Sequence, residues 1–166
     1  GRVKPRVLAK KLQAGVYVDI FLANYDVIGT GSGNLMTSDG DKSITRIDPG
    51  ASFKYRARGG RDKQFDVSAS ELRTMRDPKF HNGQAAGAIL QYADLKVAAK
   101  EFIAVPWSSI VKIINDTHRS IIDELNENDM NELRQQWVDE INDIKRILAS
   151  RYKVVKKHAM NVLSAK

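Results

Sequence analysis

The last quarter of the chain carries an unbroken helical pattern of apolar residues. From Asp129 to Lys166 the chain has neither proline nor glycine. Apolar side chains recur there every three or four positions, the repeat of one face of an α-helix. The stripe consists of Met130, Leu133, Trp137, Ile141, Ile144, Leu148, Tyr152, Val155, Ala159 and Val162. This spacing predicts a helix over about 129–163, roughly 50 Å long at 1.5 Å per residue, so the rest of the fold has to accommodate a long rod.

A second stripe precedes the first and predicts its partner. It consists of Trp107, Ile110, Ile114, Thr117, Ile121 and Leu125, and it predicts an amphipathic helix over about 107–126. A turn follows at 126–128, and Asp129 with Glu132 three residues later is typical of a new helix N-terminus. Two such helices joined by a short turn form an antiparallel hairpin.

The final helix is longer than this partner. We therefore expect its overhang to be a surface for a second subunit or another protein, and the residues assigned to this oligomerisation surface are Trp137, Ile141, Ile144, Leu148, Tyr152 and Val155. The alternative is that the helix folds back onto the N-terminal half of the same chain, which would cover these residues.

A third helical segment is predicted before Pro106. Ala86, Ile89, Leu90, Ala93 and Val97 fall at helical spacing and favour a helix over about 84–101. Gly87 weakens this prediction, because glycine inside a helix costs up to about 1 kcal/mol relative to alanine. A strand pair through 88–90 and 102–105 is the alternative. With the hairpin, this segment makes residues 80–166 a helical region.

The N-terminal half, residues 1–79, has the pattern of a basic β-rich domain. Pro5 suits the first turn of a short helix that runs to about Leu12. Residues 16–22 then alternate in the period of two that is typical of a strand, and 44–47 form another short apolar run. Several short strands with Gly, Asn and Asp turns predict a small antiparallel barrel or sandwich, SH3-like or OB-like. The whole chain is thus expected to be an α+β protein.

A predicted β-hairpin carries the densest positive charge. In an extended strand over 52–58, Phe53, Tyr55 and Ala57 share one face and Lys54, Arg56 and Arg58 share the other. A turn at Gly59 and Gly60 brings Arg61 and Lys63 near the hairpin tip, and Phe65 and Val67 return inward. Cations at roughly 7 Å spacing repel one another, so a phosphate backbone is a natural partner. The alternative is an edge strand protected from aggregation by its charge.

Charge is unevenly distributed along the chain. The net charge of +7 combines 15 basic and 9 acidic residues over 1–79, 5 basic and 9 acidic over 106–148, and 5 basic with no acidic over 149–166. The first segment opens with a basic arm, Arg2, Lys4, Arg6, Lys10 and Lys11. Such an arm is suited to contact phosphates, and the alternative is a solvated end that is basic by chance. For the lysines at the C-terminal end, the alternative is that they complement the negative end of a helix dipole.

Motifs of catalysis and cofactor binding do not occur in the sequence. Glycines 29, 31 and 33 form GxGxG without the GxGxxG spacing of a dinucleotide-binding loop, and Asp39, Asp41 and Ser43 lack the glycine and glutamate of a calcium loop. The three histidines are scattered, and the chain has no cysteine. We therefore expect no enzyme activity, no cofactor and no metal.

Apolar runs long enough to span a membrane do not occur either, and no segment has a signal-peptide pattern. We therefore expect the protein in the cytoplasm or within an assembled particle, with no membrane partner.

The basic segments lead to two hypotheses about function. The first is a non-enzymatic protein that binds the DNA or RNA backbone through the basic hairpin and arm and forms oligomers through its C-terminal helices. The second is a structural component of a large particle, such as a virion or tail, that binds neighbouring protein subunits. An inhibitor of a nucleic-acid-handling enzyme is a weaker third option.

Overall fold

The computed structural model describes residues 4–38, 43–55, 65–80, 84–128 and 130–165. Helices account for 67% of this part of the chain. Its strands are β1, Leu35–Ser38, and β2, Ser43–Arg46, which pair antiparallel with Leu35 opposite Arg46. The predicted barrel or sandwich is therefore wrong, because two strands form one open ribbon without a second layer.

Seven α-helices are described. They are α1, Pro5–Leu12; α2, Val16–Leu22; α3, Glu71–Thr74; α4, Gln84–Leu90; α5, Leu95–Ala104; α6, Trp107–Glu127; and α7, Asn131–Ser164. The short N-terminal helix and the two long C-terminal helices agree with the sequence prediction. The predicted helix over 84–101 is two helices, since Asp94 begins α5 as its N-cap by accepting a hydrogen bond from the Lys96 backbone N–H at 2.8 Å.

The segment predicted as the first strand is α2. Val16 and Ile20, and likewise Tyr17 and Phe21, lie four residues apart, and all four side chains are buried. Val18 is 41% exposed. Within only seven residues, these two apolar stripes also fit the alternating pattern of a strand. Packing against α5 and α7 favours the helix over the strand.

The predicted strand over 52–58 is also wrong where the structure describes it. Residues 51–54 turn, and Phe53 has a φ of 57°, in the left-handed region. Its ring packs edge-on against Phe65, with centroids 5.5 Å apart, so both aromatics point inward as expected. Val67 is exposed, contrary to the prediction. Residues 56–64, which include the predicted turn, lie outside the described residues.

One buried cluster joins both halves of the chain. Its members come from α1, α2, α4, α5 and the C-terminal part of α7, among them Leu12, Ile20, Leu90, Phe102 and Val155. Gly87 is required where α4 meets the segment before it, because a Cβ there would collide with the backbone of Asp77 and Pro78. We call this part of the molecule the body.

The other part is a helical hairpin that we call the arm. It comprises α6, the described residues 128 and 130 of the turn, and the first part of α7, residues 131–140. Trp137 Nε1 donates to His118 Nδ1 at 3.0 Å and holds the two helices together. No described residue between Phe102 and Ile141 is buried. None of the helices described is long and apolar enough to cross a membrane.

A candidate nucleic-acid interface

Of the cations predicted on the basic hairpin, the structure describes Lys54. Lys54 Nζ lies 3.1 Å from Asp143 Oδ2, so α7 already neutralises it. The neighbouring Tyr55 hydroxyl donates to Glu140 Oε1 at 2.6 Å. Arg56, Arg58, Arg61, Lys63 and Arg2 lie outside the described residues. The structure therefore places one predicted cation of the hairpin, and that one is paired within the chain.

The N-terminal cations that the structure describes lie on α1 or just before it and face solvent. Leu8, Ala9 and Leu12 bury one side of α1. Arg6 and Lys10 are exposed on the opposite side, Lys4 is exposed at the N-cap, and Lys11 is half-buried. These cations form no ion pair with a carboxylate of the described part of the chain. Arg6 and Lys10 are one turn apart, so two positive charges point from the same side of the helix.

An exposed aromatic ring accompanies these cations. The guanidinium of Arg6 lies over the ring of Tyr92, 5.1 Å from its centroid. Tyr92 is 45% exposed in the turn between α4 and α5. Arg6 therefore covers one face of a ring that is otherwise partly exposed, and a cation next to an exposed aromatic ring can provide a phosphate contact and a base stack for single-stranded nucleic acid.

The N-terminus of α5 contacts the C-terminal ends of α1 and α7. The Asp94 backbone N–H donates to Gln13 Oε1 at 3.2 Å, just after α1. Lys96 Nζ donates to the Ala165 carbonyl at 2.9 Å, just after α7. Lys10 and Lys11 lie within a turn of Gln13, and exposed Lys100 lies one turn after Lys96.

Helix α7 adds lysines to this end of the molecule. It carries no acidic residue after Asp143. Lys153 and Lys157 are exposed, and Lys156 lies over the Tyr152 ring at 5.5 Å. Lys157 precedes Ala165 by about 12 Å of helix. We define the basic end as Arg6, Lys10, Lys11, Tyr92, Lys96, Lys100 and Lys157.

Arg151 is one of the five basic residues over 149–166, and the structure places it in the core. It is 0% exposed. Its guanidinium donates to the carbonyls of Ile20, Phe21 and Asp66 and contacts Glu71 Oε2 at 2.7 Å. The group lies 4.7 Å from the Phe65 ring centroid. Arg151 therefore caps the end of α2 and has no free donor face for a phosphate.

The predicted oligomerisation surface is largely internal. Ile141, Ile144, Leu148, Tyr152 and Val155 are buried, where α7 packs on α2 and α5. They are covered by their own chain and offer no surface to a second subunit, as the fold-back alternative predicted. Trp137 is the exception, since it lies half-buried in the arm.

Two groups of titratable residues in the body have structural partners. The Tyr17 hydroxyl and His158 Nδ1 are 2.8 Å apart. Burial raises the pKa of Tyr17 to about 12 and lowers the pKa of His158, and nearby Arg76 lowers the pKa of both to a smaller extent. Arg76 itself donates to the carbonyls of Leu90, Gln91 and Ala93, so this group holds α4 in place.

Asp19 forms the second group with Arg46. Its Oδ2 accepts hydrogen bonds from Arg46 Nη2 at 2.7 Å and Nε at 3.0 Å. Burial nevertheless raises the pKa of Asp19 to about 6, with Arg46 opposing the shift. The pair ties β2 to α2.

The described residues give little support for binding of a metal ion or a small molecule. No group of three His, Asp or Glu side chains there is placed to hold a metal ion. A cleft of about 80 Å³ lies at the base of the arm between Trp107, Val111, Ile114, Asn115 and Lys145. Ligand pockets usually measure about 300–1,000 Å³, so this cleft has room for one side chain.

Comparison with known proteins identifies no relative. The chain matches no protein family, no curated protein and no solved structure. Of the residues in the basic end, sequence reasoning did not assign Tyr92, Lys96, Lys100 and Lys157 to nucleic-acid binding. The four-residue spacing of Lys96 and Lys100 was a usable signal, whereas their proximity to α1 depends on tertiary contacts.

Proposed function

We propose that the protein is a non-enzymatic nucleic-acid-binding protein that contacts the phosphate backbone through its basic end. The observation that carries this proposal is that the N-terminus of α5 contacts the C-terminal ends of α1 and α7, with Lys10, Lys11 and Lys96 close to these contacts and Tyr92 exposed beside Arg6. Lys157 lies about two turns before this contact on α7. Lysines and arginines without carboxylate partners release counterions when they meet phosphates, which drives binding at low salt.

This interface predicts weak dependence on base sequence. Lysine side chains contact phosphates and position the nucleic acid, while sequence is read from base edges. The basic end lacks the paired amide or guanidinium groups that commonly read a base, apart from Arg6, which lies over Tyr92. The ring of Tyr92 would favour single strands, because a stacked base is worth about 1–3 kcal/mol and duplex bases are already stacked.

The test is a titration of fluorescent oligonucleotides at about 50 and 200 mM salt. The variant Lys10→Gln/Lys96→Gln/Lys157→Gln should lower the magnitude of the salt slope by about 2–3, since each phosphate contact contributes roughly 0.7–0.9. The control Lys112→Gln/Arg119→Gln/Arg146→Gln removes the same charge from the arm and the adjoining turn of α7, and should leave the slope unchanged.

Two results would end this proposal. One is the absence of binding to single or double strands at the lower salt concentration. The other is an equal loss in both triple variants, which would show a response to net charge instead of to a site. Tyr92→Ala should weaken single-strand binding more than duplex binding.

A second candidate function is assembly with neighbouring protein subunits through the arm. The specific observation is that α6 buries none of its residues although its sequence is amphipathic over 21 residues. Its apolar face packs on α7, and Ile113, Met130 and Leu133 of the arm remain 67%, 44% and 53% exposed, which is the exposure expected of a surface that a partner covers.

Light scattering after size exclusion, with and without DNA, separates the two candidates. A concentration-dependent multimer that ignores DNA and is lost in Met130→Gln/Leu133→Asp supports assembly through the arm. A multimer that this variant leaves intact uses another surface and contradicts the second candidate.

A further inference from the structure

One side-chain hydrogen bond joins the two helices of the arm. Trp137 Nε1 donates to His118 Nδ1 at 3.0 Å, and no other side-chain hydrogen bond links α6 to α7 among the described residues of the arm. The indole N–H can only donate a hydrogen bond. His118 is therefore the acceptor, which requires a neutral ring that carries its proton on Nε2.

The two rings meet edge to edge. Their centroids are 6.4 Å apart and their planes are inclined by 26°, while the bonded nitrogens are only 3.0 Å apart. The hydrogen bond therefore lies near both ring planes, where the lone pair of Nδ1 points. A cation–π contact needs the cation over the face of the ring, within about 6 Å of its centroid, so this arrangement gives a protonated His118 no such compensation.

The surroundings of His118 on α6 do not favour a positive charge. The residues three or four positions away on this helix are uncharged, namely Ile114, Asn115, Ile121 and Ile122. The next residue, Arg119, is itself an exposed cation, and the nearest carboxylate along the helix, Asp116, is paired with Lys112. A protonated His118 therefore lacks a carboxylate partner on its own helix.

Helix α7, which packs on α6, adds further positive charge. Burial is the main cause that lowers the pKa of His118, and Lys145 lowers it further. Arg134 is another cation one turn before the indole, whereas Glu140, one turn after it, accepts a hydrogen bond from the Tyr55 hydroxyl. The neutral form of His118 is therefore favoured in the closed arm.

We propose that the His118–Trp137 pair is a proton-operated latch of the arm. Protonation turns Nδ1 from an acceptor into a donor, so two N–H groups face each other and the indole is released. The outer parts of α6 and α7 are then left with the apolar contacts of their seam, where Ile121 and Leu125 are half-buried. This inference concerns the conformation of the arm and depends on neither candidate function.

Acidification is the direction that opens the latch. Because the pKa of His118 is lowered in the fold, the folded arm binds this proton less tightly than the unfolded chain does. The contribution of the latch to stability is therefore present above the ordinary pKa of 6.5 and is lost as the pH falls through the lower folded value. Losing one hydrogen bond should raise the open fraction of the arm by about 2–10-fold.

Nuclear magnetic resonance of the imidazoles between about pH 8 and pH 5 tests the latch. In the parent chain, we expect His118 to carry its proton on Nε2 at neutral pH and to titrate below 6.5. Trp137→Phe removes the donor to the neutral ring, so the pKa of His118 should rise. His158 of the body is the internal control, since its Nδ1 lies beside the Tyr17 hydroxyl and its pKa should be the same in both proteins.

Amide hydrogen exchange measures the opening itself. When His118 is protonated, the amides over 119–127 should lose protection by about 2–10-fold after correction for the intrinsic exchange rate, whereas the amides of α5 in the body should not change. His118→Asn places an amide oxygen close to the position of Nδ1 and cannot titrate, so its protection should be independent of pH. Circular dichroism checks that this variant keeps the helix content of the parent chain.

Three results would overturn the latch. One is a pKa of His118 at or above 6.5 in the parent chain, and a second is a pKa of His118 that Trp137→Phe leaves unchanged. The third is a loss of protection at low pH that is as large in His118→Asn as in the parent, because that loss would come from other groups. Titration below 6.5, with protection that depends on pH in the parent alone, supports the latch.

Discussion

Helix α7 runs through both the body and the arm, and its apolar side chains are buried in the body but more accessible in the arm. In the body, from Ile141 to Ala159, its apolar stripe is buried against α2 and α5. In the arm, its residues 131–140 include none that is buried, and Leu133 is 53% exposed. The apolar repeat runs through both parts without a change of spacing.

This difference shows that the apolar repeat determines where the helix forms, but not which other elements pack against it. Helices α2 and α5 pack on the body half of α7 and Glu71 of α3 pairs with its Arg151, whereas the arm half packs mainly on α6. Two helices bury only the seam between them, so the flanks of the arm stay accessible. Body residues should therefore control stability, and arm residues should control association.

The largest expected effect is the loss of Arg151 in the body. Arg151→Met leaves Glu71 charged and unpaired in the core and removes donors from three carbonyls. Breaking a buried pair of this kind typically costs about 3–5 kcal/mol. The free energy of unfolding in urea measures the loss. Arg146→Met, in an exposed pair with Asp143, is the control and should cost under about 1 kcal/mol. Equal losses would remove the distinction between buried and exposed cations of α7.

A pH-dependent effect of about 3 kcal/mol is expected from Asp19. Its pKa is about 6 in the fold instead of the ordinary 3.8, so the folded chain holds this proton more tightly than the unfolded chain. Its contribution to stability is present below about pH 4 and is lost as the pH rises through about 6; a pKa difference of about two corresponds to ~3 kcal/mol. The difference in unfolding free energy between the parent and Asp19→Asn should fall over this range.

The arm behaves in the opposite sense. A hydrogen bond from Lys112 lowers the pKa of exposed Asp116, so the small contribution of Asp116 to stability is present at neutral pH and is lost on acidification through its folded-state pKa.

For Asp19, a difference in unfolding free energy between the parent and Asp19→Asn that does not change with pH would mean that Arg46 offsets the burial of Asp19 completely.

The smallest effect compares two isoleucines of the two regions. Ile144→Val removes a methylene from the buried face of α7 and should cost about 1 kcal/mol. Ile113→Val removes the same group from an exposed position on α6 and should change stability by less than about 0.5 kcal/mol. Thermal unfolding of both variants at low protein concentration, where the arm is unpaired, provides the measurement. A larger loss at 113 than at 144 would contradict the division into body and arm.

Sequence reasoning was most successful where one repeat continued over many turns. The bounds of α1, α6 and α7 were predicted to within a few residues, because each has a single apolar face or a proline at its start. It failed at α2, where two apolar faces in seven residues also fit a strand. Asp19, a buried polar residue of this helix, pairs with Arg46, which lies 27 positions further along the chain. No local sequence pattern indicates that pairing.

The candidate site was predicted in part. The N-terminal cations were found from composition alone, because a run of basic residues without acids needs no tertiary information. Lys54 was assigned to a phosphate contact, yet its partner Asp143 lies 89 positions further along the chain. Whether a cation is free or paired depends on such distant contacts, and the same holds for Arg151.

The continuity of α7 has a mechanical consequence. A single rod of 34 residues reaches from the outer end of the hairpin to the guanidinium that clamps α2 and α3. A bending load applied far from the core is therefore carried as torque about that clamp, with no hinge residue such as glycine or proline in between. Strain at the periphery reaches the centre of the molecule through one covalently continuous lever.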